Sequence, residues 1–262
     1  MCGIHISTQP SNLVTSKARE RMRRRGPDLQ SFVKHEGLFF WHSLLSMDGS
    51  LTSQPYIKDH VCAVFNGEIY NHLEIRNQIT QYSFKGNSDT EVILAAIELH
   101  GTDWFLERAN GMFAIAAYNH LTGEVYLLRD RLGIKPLYYY NNNGLLVFSS
   151  EIKGILSSGL VQASFNDLAI DDYLAYRYVR EPNTFFQQIY QVESGHYLEF
   201  RDGVLLNDHT YWEVPTRWNT EIEFDEEIIK QEFSSRLTEA VKKRMMAEVP
   251  LGCYLSGGVD SS

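Results

Sequence analysis

A cysteine stands directly after the initiator methionine, as Cys2, and the chain closes on Leu255-Ser256-Gly257-Gly258-Val259-Asp260-Ser261-Ser262. Removal of Met1 leaves Cys2 with a free α-amine titrating near pH ~7.7–8, so one residue carries a thiol nucleophile and a base to activate it. The bland alternative is a small buried residue of the first strand. The closing glycine-rich stretch is the kind of turn that aims backbone N–H groups at phosphate oxygens. The two ends together imply a reactive product made at one site and ATP consumed at another.

Between them lie groups that could serve the thiol. Asn66-Gly67-Glu68 follows the apolar run Val61–Phe65. Asn-Gly alone is a turn signal. Beside a thiol, an Asn side-chain amide and a Gly backbone N–H are also the two donors an oxyanion hole requires. Asp89 sits where a helix should begin and is by default a favourable charge on its dipole; paired with Glu68 it could instead hold an ammonium group. Arg21, Arg23, Arg24 and Arg25 read as a solvated helix face, and the charges of Arg129-Asp130-Arg131 and Gly133-Ile134-Lys135-Pro136 as those of a structural turn.

The elements that must position these groups are legible in outline. Cys2–Ser7 alternates like a strand, and Thr15–Arg25 is polar and helical before the breaker Gly26-Pro27. Ser31–Val33, Leu38–Leu45 and Val61–Phe65 are strand-like, the last breaking at Asn66-Gly67. Ser88 with Glu91 forms a capping box, opening a helix with Ile93, Ala96 and Ile97 at helical spacing and Gly101 closing it. Met112–Tyr118, Val125–Arg129, Leu137–Tyr140 and Leu145–Phe148 are strands, the last two joined by the Asn141-Asn142-Asn143-Gly144 turn. Strands grouped on either side of helices predict a layered α+β sandwich. After about Tyr211 the character changes: Asp225 caps an amphipathic helix bearing Ile228, Ile229, Phe233, Leu237, Val241 and Met245. Gly252–Leu255 then reads as a buried strand entering the phosphate loop.

Composition narrows the classes. The 262 residues fit one large domain and the opening of a second, and 44% hydrophobic content supports a globular core. A net charge of −9 argues against a nucleic-acid partner. There is no apolar run of ~18 residues to span a membrane, and no signal-peptide pattern at the N-terminus. Cys2, Cys62 and Cys253 are too few and too scattered for a disulfide framework or a metal site. A cytoplasmic location follows as the expectation.

Met1-Cys2-Gly3-Ile4, Arg25-Gly26-Pro27-Asp28, Phe65 to Asn71, Ser88 to Glu91, Gly111 to Ala114 and Arg129 to Tyr138 resemble the glutaminase domain of glutamine-hydrolysing asparagine synthetases. Val249 to Ser262 resembles the start of their ATP-pyrophosphatase domain. The wider group is the class II glutamine amidotransferases. The resemblance implies a four-layer αββα sandwich of the N-terminal-nucleophile hydrolase fold over residues 1–210. The start of an α/β ATP-pyrophosphatase domain would occupy 211–262. It implies that Cys2 attacks the side-chain amide of glutamine, Asn66 and Gly67 hold the oxyanion, and Glu68 and Asp89 bind the substrate ammonium. Leu255, Ser256, Gly257, Gly258, Asp260, Ser261 and Ser262 would bind ATP, with Asp260 near Mg²⁺. Glutamine, ATP and a carboxylate acceptor such as aspartate are the implied small-molecule partners, and a homodimer the ordinary assembly.

One position departs from the family. Its segment reads His, any residue, Arg, Leu, Ser, and that arginine clamps the α-carboxylate of glutamine; here it reads His42-Ser43-Leu44-Leu45-Ser46. A hydrogen bond to a charged group contributes roughly 1.5–3 kcal/mol, so Leu44 should weaken glutamine binding about 10- to 150-fold. Arg24 is a candidate substitute. The departure keeps two rivals open: an amidotransferase of surface-polysaccharide or natural-product assembly with another acceptor, and a non-catalytic glutaminase-like domain on an ammonia-dependent synthetase.

Overall fold

The computed structural model describes residues 2–9, 12–46, 54–216, 225–246 and 250–259. The chain divides into two units, the second holding Pro215–Ser262. The first begins β1 (Gly3–Ser7), α1 (Asn12–Met22), β2 (Leu29–His35), β3 (Leu38–Leu44), β4 (Tyr56–Lys58) and β5 (Val61–Ile69). It continues through α2 (His72–Gln78), α3 (Asp89–His100), α4 (Thr102–Arg108), β6 (Gly111–Asn119), β7 (Glu124–Arg129), β8 (Tyr138–Asn142) and β9 (Leu145–Ser149). It ends with α5 (Ile152–Ser157), α6 (Leu168–Tyr176), β10 (Ile189–Gln191), β11 (His196–Arg201) and β12 (Val204–Thr210).

The strands form two antiparallel sheets, ordered β10-β8-β9-β1-β3-β2 and β12-β11-β7-β6-β5-β4. Their central strands are apolar on both faces, which forces four layers. Ile4, Ile6 and Phe40 from the first sheet meet Val64, Ala114, Ala116 and Leu127 from the second in the core between the sheets. The opposite face of the second sheet carries Ala63, Phe65 and Ile115, which pack against Val92, Ile93 and Ala96 of α3. On the outer face of the first sheet Phe39 and Trp41 pack on Met22 of α1, and Val147 on Ile155 of α5. Helix, sheet, sheet, helix is the order that the family resemblance implies. Phe40 and Trp41 are fully buried, and truncating either to alanine costs roughly 3–5 kcal/mol.

Local signals mostly hold. Ser88 caps α3, its hydroxyl accepting the Glu91 N–H at 3.2 Å. Only half the capping box forms, because the Glu91 carboxylate instead accepts the N–H groups of Lys85 and Gly86, each at 2.9 Å. Asn143 and Gly144 both take positive φ, 50° and 76°, which gives the tight β8–β9 turn the right twist.

The expected break at Asn66-Gly67 does not occur. β5 runs on to Ile69, with Asn66, Gly67 and Glu68 paired to Ala114, Phe113 and Met112 of β6. Gly67 allows this because the strands approach so closely that a Cβ there would meet the Met112 carbonyl oxygen at 2.0 Å. Tertiary pairing overrides the local turn preference.

In the second unit α7 (Glu226–Arg244) starts at Asp225 as expected, the Asp225 carboxylate accepting the N–H groups of Glu227 and Ile228. Ile228, Phe233, Leu237 and Val241 are exposed. The strand expected at Gly252–Leu255 is absent; these residues are irregular and exposed. A strand of this kind needs neighbouring strands to take up its backbone groups, and the described residues of this unit contain none.

Candidate active site

β1 lies inside the first sheet, between β9 and β3, which fixes Cys2 at the centre of the sheet's end. Its sulfur accepts the Leu45 N–H at 3.4 Å and lies 3.7 Å from the Leu45 carbonyl oxygen. Arg25, at the end of the 3-10 turn Arg23–Arg25, donates from Nε to the Cys2 carbonyl at 2.9 Å and from Nη1 to Glu151 at 3.1 Å. Cys2 is therefore held through its own backbone. Burial pushes the thiol up from its ordinary value, opposed by the Leu45 backbone hydrogen bond and by Lys135 and Arg25. Cys62, in the core between the sheets, is pushed up to about 12 by burial alone, and a thiol so held is inert.

Asn66 continues the inward-facing phase of Cys62 and Val64 on β5. Cys2 precedes Ile4 and Ile6 in the same phase on β1. Asn66 is 1% exposed, yet among the described residues neither its amide nitrogen nor its amide oxygen has a hydrogen-bond partner. Such groups are rare in a folded interior because each costs stability. A buried donor held unpaired is what a developing oxyanion requires.

Glu68 shares that inward phase one pair further along β5. Asp89 begins α3, and its Oδ2 accepts the Ile69 N–H at 3.2 Å, which ties the helix start to the end of β5. Burial raises the Asp89 carboxyl above its usual range, opposed by hydrogen bonds from Ile69 and Thr90. Leu44 ends β3 half-buried, and its carbonyl accepts the Asp28 N–H at 3.1 Å. Arg24 is exposed on the 3-10 turn. Leu255, Ser256, Gly257 and Gly258 are exposed in the irregular segment of the second unit, where Gly257 has φ 71°. Asp260, Ser261 and Ser262 lie outside the described residues.

Several site residues escaped the sequence reading. Gln54 is buried; its Oε1 accepts the Phe65 N–H at 2.6 Å and its Nε2 donates to Thr90 at 3.3 Å, bracing β5 against α3. Asp130, read from sequence as part of a structural turn, is 1% exposed. It accepts four backbone N–H groups, those of Phe113, Leu132, Ile134 and Lys135. Lys135 is only 6% exposed. Away from this site, Glu193, His196 and Asp208 converge. Both His196 ring nitrogens are already engaged there, by Asp208 at 2.7 Å and Thr210 at 3.1 Å. Among the described residues no helix is long and apolar enough to cross a membrane.

The sequence model of the glutamine amidotransferase domain matches residues 1–212, and that of asparagine synthase matches residues 232–262. A putative glutamine-hydrolysing asparagine synthetase of Methanocaldococcus jannaschii is 36% identical over 205 residues, covering 77% of this chain and 39% of its own. A glutamine-hydrolysing asparagine synthetase of Bacillus subtilis is 32% identical over 248 residues, covering 91% and 38%. An amidase of Penicillium rubens is 36% identical over 245 residues, covering 91% and 36%. The chain thus spans about two-fifths of the length of these relatives. Among solved structures, the glutamine phosphoribosylpyrophosphate amidotransferase of B. subtilis shares the fold. It superposes with a TM-score of 0.58 at 16% identity, over 81% of this chain and 49% of that one.

Proposed function

This chain belongs to the glutamine amidotransferase domain family, and from that premise we propose that its first unit hydrolyses glutamine to glutamate and ammonia. The observation that carries the reading is the buried, unpartnered Asn66 amide at the end of the sandwich that also presents the Cys2 sulfur. Once Met1 is removed, the Cys2 α-amine takes the thiol proton and Sγ attacks the amide carbon. The Asn66 amide and the Gly67 backbone N–H hold the oxyanion. Collapse expels ammonia, which takes the proton back from the amine, and leaves a thioester on Cys2. Water activated by the same amine then releases glutamate. Glu68 and Asp89 hold the substrate ammonium.

In the same proposal the second unit opens an ATP-dependent synthetase that joins the ammonia to an adenylated carboxylate such as aspartate. The Leu255–Ser262 segment takes ATP, with Mg²⁺ near Asp260. The positive φ of Gly257 suits this use, since it lets neighbouring N–H groups turn toward one anion. The protein would be a cytoplasmic homodimer working on small molecules, away from nucleic acid and membrane. A second reading, an acceptor other than aspartate, is favoured by Leu44 and by the amidase among the relatives. The non-catalytic reading is disfavoured by the Asn66 amide, which a purely structural domain has no reason to keep unpaired.

The test is ammonia release from glutamine by protein lacking Met1, verified by intact mass, beside Cys2→Ala. Turnover by the mature form alone supports the proposal; equal turnover in Cys2→Ala, or in protein retaining Met1, overturns it.

A further inference from the structure

One edge of β5 is only partly covered by its neighbour. β4 pairs along it from Val61 to Ala63, with Tyr56 opposite Ala63, and then stops. Backbone N–H groups beyond that point must find other partners, and two of them find side chains. The Phe65 N–H donates to Gln54 Oε1 at 2.6 Å, and the Ile69 N–H to Asp89 Oδ2 at 3.2 Å. Gln54 falls opposite Phe65 if the β4 register is continued, so its amide takes the bond that a longer strand would have made. Strand alternation turns the Gly67 N–H to the same side, between the two capped positions.

The two caps are joined to each other. Because Gln54 Oε1 faces the strand, its Nε2 must face α3, where it donates to Thr90 Oγ1 at 3.3 Å. With its oxygen so occupied, the Thr90 hydroxyl has its own proton left to give, and it donates to Asp89 Oδ1 at 3.4 Å. Phe65, Gln54, Thr90, Asp89 and Ile69 thus close a ring of hydrogen bonds against the strand segment centred on Gly67. Every donor in the ring has one acceptor, so its sense is fixed. The backbone of Gln54 is held in turn by the first sheet, where the Ser31 hydroxyl donates to the Gln54 carbonyl. Gln54 and Thr90 are buried, whereas Asp89 is half-buried, which makes it the member of the ring able to meet a ligand.

We propose that Gln54 and Thr90 are positioning residues for the substrate ammonium. Through them the strand that carries the oxyanion donors fixes the place and orientation of the Asp89 carboxylate. Neither residue touches glutamine; both act through Asp89. The inference rests on the glutaminase reading and deepens it, since it ties recognition of the amino group to the strand that stabilises the oxyanion. Preorganisation of this kind matters because a carboxylate free to rotate loses the geometry that a bound cation needs.

The test compares glutamine with glutaramate, the same amide without its amino group. Binding of each to Cys2→Ala protein is followed by NMR titration, beside the same protein carrying Thr90→Val, Thr90→Ser or Gln54→Met, with circular dichroism confirming the fold. A hydrogen bond to a charged group contributes about tenfold or more. Thr90→Val should therefore lower the preference for glutamine over glutaramate roughly tenfold while glutaramate binding holds, and Thr90→Ser should restore most of it. Gln54→Met frees the hydroxyl to turn from Asp89 and should lower the preference in the same direction. If one of these variants fails to fold, the other decides. A merely structural role would weaken both ligands alike; that result, or an unchanged preference in Thr90→Val, overturns the proposal. Ammonia release is measured separately with Cys2 intact. A preference that falls as expected without ammonia release fails only the glutaminase reading. Turnover with an unchanged preference fails only this proposal, and a parent protein that binds neither ligand fails both.

Discussion

Replacing Asn66 by leucine should make the protein more stable and nearly inactive. The side chain is 1% exposed and both its amide atoms lack partners among the described residues. A buried polar group left unsatisfied costs about 1–3 kcal/mol, and leucine of similar shape removes both groups without opening a cavity. A gain of ~2 kcal/mol is the expected net, equivalent to about 4–8 °C in Tm for a domain of this size. Loss of one oxyanion donor, in contrast, lowers kcat about 10²- to 10³-fold. Asn66→Ala is the poorer probe, since a cavity would mask the stability gain.

The assay pairs thermal unfolding with steady-state ammonia release from glutamine, both on protein lacking Met1. Opposite signs, Tm up and kcat down with KM little changed, mark a residue retained for chemistry at the expense of stability. If Tm falls while turnover holds, the amide is structural and the oxyanion assignment is wrong. If both fall together, the side chain is satisfied by partners that Leu removes, and the same assignment fails.

Two further outcomes are expected. Burial lowers His5 and His42 to about 4, so each binds a proton more readily unfolded than folded; their contribution is full above about pH 6.5 and is lost as pH falls toward 4. Each should cost ~2 kcal/mol between pH 7 and pH 5; urea unfolding of His5→Phe beside wild type at both pH values reads this, and an equal difference at the two overturns it. Leu44→Arg should lower KM for glutamine about 10- to 150-fold with a smaller change in kcat, and an unchanged or raised KM in steady-state kinetics would mean the carboxylate lies elsewhere.

A layered sandwich was legible because strands buried on both faces leave continuous apolar runs, as in Val61–Phe65 and Leu38–Leu45, whereas the four-layer order followed from the family resemblance. The caps at Ser88 and Asp225 and the Asn143-Gly144 turn are written in single residues whose local chemistry has one preferred outcome. Asn66-Gly67 misled for the same reason: locally it is a turn, and only the pairing with β6, which lies more than forty positions along the chain, makes it strand. Cys2 could be singled out as the candidate nucleophile because it is defined by its place in the chain. Gln54 and Lys135 could not, since nothing near either residue in sequence reports what it meets across the sandwich.

The carboxylate of Asp130 shows why that second kind of residue matters. A surface turn of Arg, Asp, Gly, Lys and Pro would leave its charges solvated, where each ion pair contributes little. Here the turn is drawn across the end of the sandwich, and one carboxylate satisfies four backbone N–H groups from both sides of the crossing. Burying that charge is tolerable only because its hydrogen bonds are complete. What the network secures is position: it ties the backbone of Lys135 to that of Phe113, and through β6 to Gly67 and Asn66. Asp130 thus fixes the spacing between the β7–β8 crossing and the strand pair that carries Asn66 and Gly67.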